Sequence, residues 1–215
     1  MRVIVTCGPS YEPIDQVRRL TNFSTGELGL MLSAALTRAG HTVLCLKGEG
    51  ATAQVTAVGA KIVTFSTNED LLQKLEAEAG AADAVFHAAA LCDYRVKEVR
   101  AADGTSPDAK KIPTRSGELT LTLEPTVKVL PRLRAIFPKA KIVGWKYELD
   151  GTRDNALALA ARQIAECHTD ACVVNGAAWG AGFGFVETGR APLPMADKAA
   201  LAFFLSDWIG QSVCS

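Results

Sequence analysis

The chain has no Cys-x-x-Cys pair and no cluster of His, Cys, Asp and Glu at metal-ligand spacing, which excludes a zinc-stapled or iron–sulfur module. Histidine is scarce, with His41, His87 and His168 its only occurrences, and no Ser-His-Asp arrangement can be argued from them. Charge is balanced, 23 basic residues against 23 acidic, and no basic tract is visible, so nothing supports binding to a nucleic-acid backbone. No uninterrupted apolar stretch is long enough to span a membrane, and Met1-Arg2 leads straight into a strand instead of a secretory leader. A cytoplasmic chain is therefore expected, with its six scattered cysteines reduced. Of these, Cys45, Cys92 and Cys172 lie in or beside apolar segments and read as small buried hydrophobes.

What is present is an alternation of apolar strands and helices. Apolar residues make up 48% of 215 positions, enough for a single well-packed domain over 1–215 with a small excursion. Val3-Ile4-Val5-Thr6, Thr42 to Lys47, Lys61 to Phe65, Ala84 to Ala89, Ile142 to Trp145 and Ala171 to Val174 read as strands. A helix with a broad apolar face begins near Leu28 and is stopped by Gly40. A second is capped by Ser66 or Thr67, with Glu69 and Asp70 in its first turn. An Ala-rich third runs from Asn155 to Cys167. Such continuous apolar strands alternating with helices predict an α/β fold, a parallel sheet covered on both faces. His87, inside an apolar strand, reads as a satisfied core residue, and His41 and His168 as surface residues.

Two segments break the rhythm. Arg95 to Arg115 is polar and charged, with Gly104, Pro107 and Pro113, and reads as a mobile flap. Glu118 to Leu123 then alternates with period two, as a half-exposed strand does. The other break is at the start. In an ordinary dinucleotide fold the first strand reaches its helix through a tight Gly-x-Gly-x-x-Gly turn, whereas here a long polar loop intervenes. Long loops inside compact domains are usually functional or disordered, and this one has an ordered-looking composition. It ends in Asn22-Phe23-Ser24-Thr25-Gly26, small hydrogen-bonding residues where a helix start presents free N–H groups to an anion.

That loop carries a resemblance. Val5-Thr6, Gly8, Glu12-Pro13-Ile14-Asp15, Val17-Arg18, Leu20-Thr21-Asn22-Phe23-Ser24-Thr25-Gly26 and Gly29 resemble the opening of phosphopantothenoylcysteine synthetase, the ligase of coenzyme A synthesis often found as the C-terminal half of the bacterial Dfp flavoprotein. Ala88-Ala89-Ala90-Leu91-Cys92-Asp93-Tyr94-Arg95 is similar to a second family segment. Lys110-Lys111-Ile112, Ile142-Val143-Gly144-Trp145 with Glu148, and Thr169 to Asn175 follow in family order. The resemblance covers roughly residues 2 to 185. It implies a Rossmann-like three-layer sheet with an inserted flap and a β-hairpin dimerisation segment at about 95–124, and hence a homodimer. It also implies a reaction in which 4′-phosphopantothenate and CTP form an acyl-cytidylate that cysteine then displaces.

Site residues carry over one at a time. Asn22 would hold the pantothenate or orient the intermediate, a loop cap being its plainer role. Arg18 would clamp a substrate phosphate or carboxylate. Ser24, Thr25 and Gly26 would form a phosphate-binding helix start, compatible with a plain N-cap. Ala88 and Ala89 would bring bare backbone next to the base, and Asp93 would hold Mg²⁺ or the nucleotide. Lys111 would neutralise the triphosphate when the flap closes. Trp145 stands where the family has Phe beside the nucleotide, and Asn175 would meet substrate. CTP and Mg²⁺ are thus expected and flavin is not. A separate flavin-dependent phosphopantothenoylcysteine decarboxylase is a possible partner.

The chain also departs from the family. Pro113-Thr114 replace two flap lysines, and Gln163 and Cys167 replace two nucleotide-binding lysines. Lys128 stands where an acid is expected, so Lys128 or Lys146 would supply part of the lost charge. After Asn175 the usual motif and its strand read as eroded, leaving Gly182-Phe183-Gly184-Phe185. These departures keep a non-catalytic or altered-substrate paralogue open. An NAD(P)-binding Rossmann protein is a further alternative, disfavoured by the missing glycine fingerprint and by the absence of an early acid after Lys47-Gly48.

Overall fold

A computed structural model gives the architecture and describes residues 1–106, 110–113 and 117–210. Strand β1 (Arg2–Cys7) leads to a short hairpin of β2 (Tyr11–Pro13) and β3 (Arg19–Thr21), then α1 (Glu27–Arg38), β4 (Thr42–Gly48), β5 (Lys61–Phe65), α2 (Asn68–Glu76) and β6 (Ala84–His87). An antiparallel pair, β7 (Tyr94–Ala101) and β8 (Leu119–Pro125), precedes α3 (Leu133–Ile136) and β9 (Lys141–Tyr147). The chain closes with α4 (Arg153–Cys167), β10 (Ala171–Asn175), β11 (Phe183–Glu187), β12 (Leu193–Met195) and α5 (Lys198–Gly210).

The main sheet runs β12-β11-β10-β9-β6-β1-β4-β5. Its six parallel strands follow the doubly wound order. The chain moves outward from β1 through β4 to β5, then returns to the other side of β1 through β6, β9 and β10. One face packs on α1 and α5 through Val3, Val5, Leu36, Phe86, Val173 and Leu205. The other packs on α2 and α3 through Ile4, Leu46, Leu71, Val85 and Ile142, and on α4 through Cys172 and Val174. Burial on both faces is why these strands are uniformly apolar. The Rossmann-like three-layer α/β expectation holds. Among the described residues, no helix is long and apolar enough to cross a membrane.

Three expectations need correction. The sheet is mixed, because β11 lies antiparallel to β10 and β12 antiparallel to β11. The strand expected to be eroded after Asn175 is therefore present: Phe183 and Phe185 bury into the α5 face, and the Phe185 ring meets Phe204 and Trp208 edge-on at 4.9 and 5.2 Å. Third, the hairpin expected within 95–124 is present, but it takes in the first part of the supposed flap, since strand Tyr94–Ala101 lies in register with Leu119–Pro125, with a bulge between Val96 and Glu98. Its polar character belongs to its exposed side, where Arg95 and Lys97 are both paired to Glu124 across the hairpin. The remainder of that flap falls partly on residues 107–109 and 114–116, outside the described residues.

Candidate active site

Where the strand order reverses, the loops after β1 and β6 are zipped together. Gly8 ends β1 at φ 77°, Pro9 bridges to Ala90, and Ser10 N–H donates to Ala90 O at 3.2 Å while Ala90 N–H donates to Gly8 O at 2.9 Å. Ser10 Oγ accepts from Cys92 N–H at 2.8 Å. The β2–β3 hairpin arches over this junction, fastened by Thr21 Oγ1–H to Ser10 O at 2.7 Å. At its end Asn22 Nδ2 donates to Ala90 O and Leu91 O at 3.3 and 2.8 Å. The predicted catalytic amide thus ties the first loop to the loop after β6.

The crevice beyond the strand ends is a cleft of about 860 Å³. Asn22, Ser24, Thr25, Gly26, Ala88, Ala89, Asp93, Trp145 and Asn175 all line it. Helix α1 opens into it through Gly26, whose left-handed backbone (φ 75°) serves as an N-cap without a side-chain cap. The N-cap expected at Ser24 thus falls at Gly26, and Thr25 Oγ1, one residue before it, takes the Glu27 N–H at 3.3 Å.

A smaller lobe of about 340 Å³ adjoins it, sharing Ala89, Leu91, Asp93, Trp145, Lys146 and Gln163. Lys128 lines this lobe and is ion-paired with Asp93. Asn68 donates through Nδ2 to Cys92 O and Val127 O at 2.8 and 3.1 Å, while its Oδ1 and the Trp145 Nε1 are buried without a hydrogen-bond partner. His87 forms part of the wall, and burial pushes its pKa down to about 4. Thr6 Oγ1 accepts from Ala89 N–H at 3.3 Å and hydrogen-bonds His87 Nδ1 at 2.9 Å. Burial pushes the Cys172 thiol up to about 12, and burial beside Glu166 raises Cys167, so neither is a ready nucleophile.

Two predicted residues are not brought to the cleft. Arg18 donates through Nε and Nη2 to Asp15 Oδ2 at 3.0 and 2.6 Å, and through Nη2 to Ile112 O at 2.6 Å. Its guanidinium is consumed in a staple between the first loop and the segment after β7. Lys111 is exposed on that segment and lines neither lobe. Burial alone would raise the Asp15 carboxyl, but the N–H groups of Val17, Arg18 and Ile112 and the Arg18 side chain outweigh it and hold the group well below the carboxylate range.

The structure adds residues to those expected. Gln163, noted only as a lysine replacement, lines both lobes and donates through Nε2 to Cys172 Sγ at 3.2 Å. It fits because Gly144 faces it: a Cβ there would lie 2.6 Å from Gln163 Nε2. Lys146, already expected to supply charge, lines both lobes, and Lys198 and Glu27, which were not expected, line the larger. The signal available for Lys198 was a cation in the first turn of a helix, where the dipole disfavours one. Among the described residues no group of three or more His, Cys, Asp or Glu could hold a metal ion.

The sequence profile of the DNA/pantothenate metabolism flavoprotein C-terminal domain matches residues 1–209. The coenzyme A biosynthesis bifunctional protein CoaBC of Thermococcus kodakarensis is 30% identical over 177 residues, 81% of this chain and 41% of that protein. Its Bacillus subtilis counterpart is 28% identical over 211 residues, 94% of this chain and 49% of that protein. The chain therefore spans about half the length of these curated relatives, or less. In fold it is similar to the crystal structure of the DNA/pantothenate metabolism flavoprotein from Streptococcus pneumoniae. The TM-score is 0.86 at 23% identity, covering 98% of this chain and 99% of that one.

Proposed function

Because the chain belongs to the DNA/pantothenate metabolism flavoprotein C-terminal domain family, we propose that its cleft joins 4′-phosphopantothenate to L-cysteine through an acyl-cytidylate. The observation that carries this reading is convergence: Asn22, Ser24 to Gly26, Ala88-Ala89 and Asp93 come from loops, and Trp145 and Asn175 from the ends of β9 and β10, to one cleft at the strand-order reversal. The substrate carboxylate attacks the α-phosphorus of CTP and pyrophosphate leaves. The cysteine amine then adds to the acyl carbon, loses a proton to solvent, and expels CMP.

In this reading the α1 start and Asn175 receive phosphate, Ala88-Ala89 and Trp145 border the base, and Asn22 fixes the substrate side against the nucleotide side. Lys128 and Lys146 supply charge that Gln163 and Cys167 lack. The residues fit a Mg²⁺ ion carried in on the triphosphate, since that ion usually takes one or two carboxylates besides phosphate oxygens. Asp93 is the carboxylate in place, and the ion would neutralise phosphate charge. Exposed Phe23, Tyr147 and Leu149 around the mouth support cover by a second copy, a homodimer. The relatives are named as bifunctional proteins of coenzyme A biosynthesis. That supports a second activity acting next to this one, in this reading a flavin-dependent decarboxylase that consumes the product.

Gln163 and Cys167 at the lysine positions favour a second reading, a paralogue that binds without ligating. The test is pyrophosphate release by the purified chain with Mg²⁺. Release that requires 4′-phosphopantothenate and prefers CTP to ATP is expected. Release with ATP but not CTP would overturn the base assignment, and release with neither would favour the non-catalytic reading.

A further inference from the structure

The lysines lining the cleft are Lys128, Lys146 and Lys198, and each is held by a carboxylate: Asp93, Glu148 and Glu27 respectively. Lys146 Nζ lies 3.2 Å from Glu148 Oε1. Among the described residues the positive charge lining the cleft is thus cancelled pair by pair. An anionic ligand that takes one of these lysines therefore competes with its carboxylate.

Lys198 shows this most clearly. It is the first residue of α5, where the helix dipole disfavours a cation, and its partner Glu27 is the first residue of α1, where the dipole favours an anion. The two side chains keep 44% and 41% of their surface exposed. Such a pair is weak, because solvent screens it and two long side chains must be immobilised. Ser24, Thr25, Gly26 and Asn175 line the same lobe as Lys198. A phosphate chain there offers several charged oxygens against the one carboxylate of Glu27.

We propose that Lys198 is a phosphate-binding residue of the larger lobe, masked by Glu27 and released to the nucleotide triphosphate by exchange of one anion for another. The identity of that anion rests on the ligase reading. Once displaced, the Glu27 carboxylate faces the bound phosphates and repels them, so re-forming the Lys198 pair favours departure of pyrophosphate. Lys198 thereby restores, from the far end of the chain, positive charge that α4 lacks at Gln163 and Cys167.

The two members of the pair must then act with opposite signs. Calorimetric titration of the full chain with inorganic tripolyphosphate at low salt is the direct probe. Lys198→Gln should weaken binding about fivefold or more, Lys198→Arg should retain it, and Glu27→Gln should tighten it by about threefold to fivefold, the scale of one exposed ion pair. Both partners weakening binding when neutralised, or neither changing it, would overturn the exchange. Thermal melting of each variant shows that the fold is kept, and Lys198→Arg separates loss of charge from loss of packing. If the parent forms product but Lys198→Gln binds tripolyphosphate unchanged, the phosphate role falls and the ligase reading stands. If Lys198→Gln loses tripolyphosphate while the parent makes no product with CTP or ATP, the ligase reading falls and the phosphate site stands.

Discussion

Gly29 presses on Cys7 so closely that a Cβ on Gly29 would lie 2.2 Å from the Cβ of Cys7. Close packing of the first helix on the first strand is the task of the last glycine in a dinucleotide fingerprint. Gly8 at the strand end, Gly26 at the helix cap and Gly29 in its first turn thus reproduce in space what the tight turn does in sequence, with the β2–β3 hairpin inserted between the first two. Gly29→Ala should lower stability by about 1–3 kcal/mol, the range for overpacking, despite alanine's higher helix propensity. Because the clash is with Cβ, adding Cys7→Ala should not rescue it, whereas Cys7→Gly should recover part of the melting temperature. An unchanged melting temperature in Gly29→Ala would refute the contact.

His87 makes the fold sensitive to acid. Its folded pKa is about 4 because the ring is buried, against an ordinary value of 6.5. Between those values the unfolded chain binds the proton and the folded chain does not. Stability is therefore full above about pH 6.5 and falls as pH drops toward 4, by about 3 kcal/mol over the window. Urea denaturation at pH 7, 5 and 4 should show this loss in the parent and a flatter profile in His87→Gln. Equal pH slopes in the two proteins would assign the acid sensitivity elsewhere.

The sheet was legible because burial on both faces forces unbroken apolar runs, and Val3-Ile4-Val5 or Val143 with its neighbours can hardly be anything else. The cap of α2 was legible too, since Thr67 receives the Asp70 N–H at 3.1 Å. What escaped was set by contacts distant in sequence. Phe183 to Glu187 looked like an eroded motif because its strand identity depends on pairing with β10 and on the rings of α5. Tyr94–Ala101 looked like a flap because the bulge between Val96 and Glu98 breaks the alternation that would have marked its half-buried side, Val96, Val99 and Ala101. In the site, the cleft-lining positions were readable from the family motifs. The pairing of Lys198 with Glu27, 171 positions apart, was not.

Asn22 spends its amide donor on the carbonyls of Ala90 and Leu91 and is itself exposed, so its removal touches no core. With both amide hydrogens engaged there, Asn22 acts by fixing the loop beside the cleft. Asn22→Ala should melt close to the parent yet lose transition-state stabilisation of about 2–3 kcal/mol, the scale for misplacing a reacting group by about 1 Å. Single-turnover formation of the acyl-nucleotide is the measurement. Product formation equal to the parent's would reduce Asn22 to a loop tie.

Arg18 and Lys111 should act as one unit although neither lines the cleft. Arg18 Nη2 holds Ile112 O, Asp15 Oδ2 accepts the Ile112 N–H at 3.1 Å, and Gln16 N–H donates to Lys110 O at 3.0 Å. Lys111 is thereby clamped on both sides to the loop that ends in Asn22. Lysine is a point charge on a flexible stem, so its use to a triphosphate depends on where its backbone is fixed. Arg18→Ala releases that backbone, and the effect should appear as a raised KM for the nucleotide with little change in melting temperature. Lys111→Ala should raise the same KM by losing the charge itself. In the double variant the two effects should fall short of their sum, because a lysine already absent cannot be misplaced. A double-mutant cycle on nucleotide KM reads this coupling directly, and strictly additive effects would mean that the staple serves the fold and not the lysine.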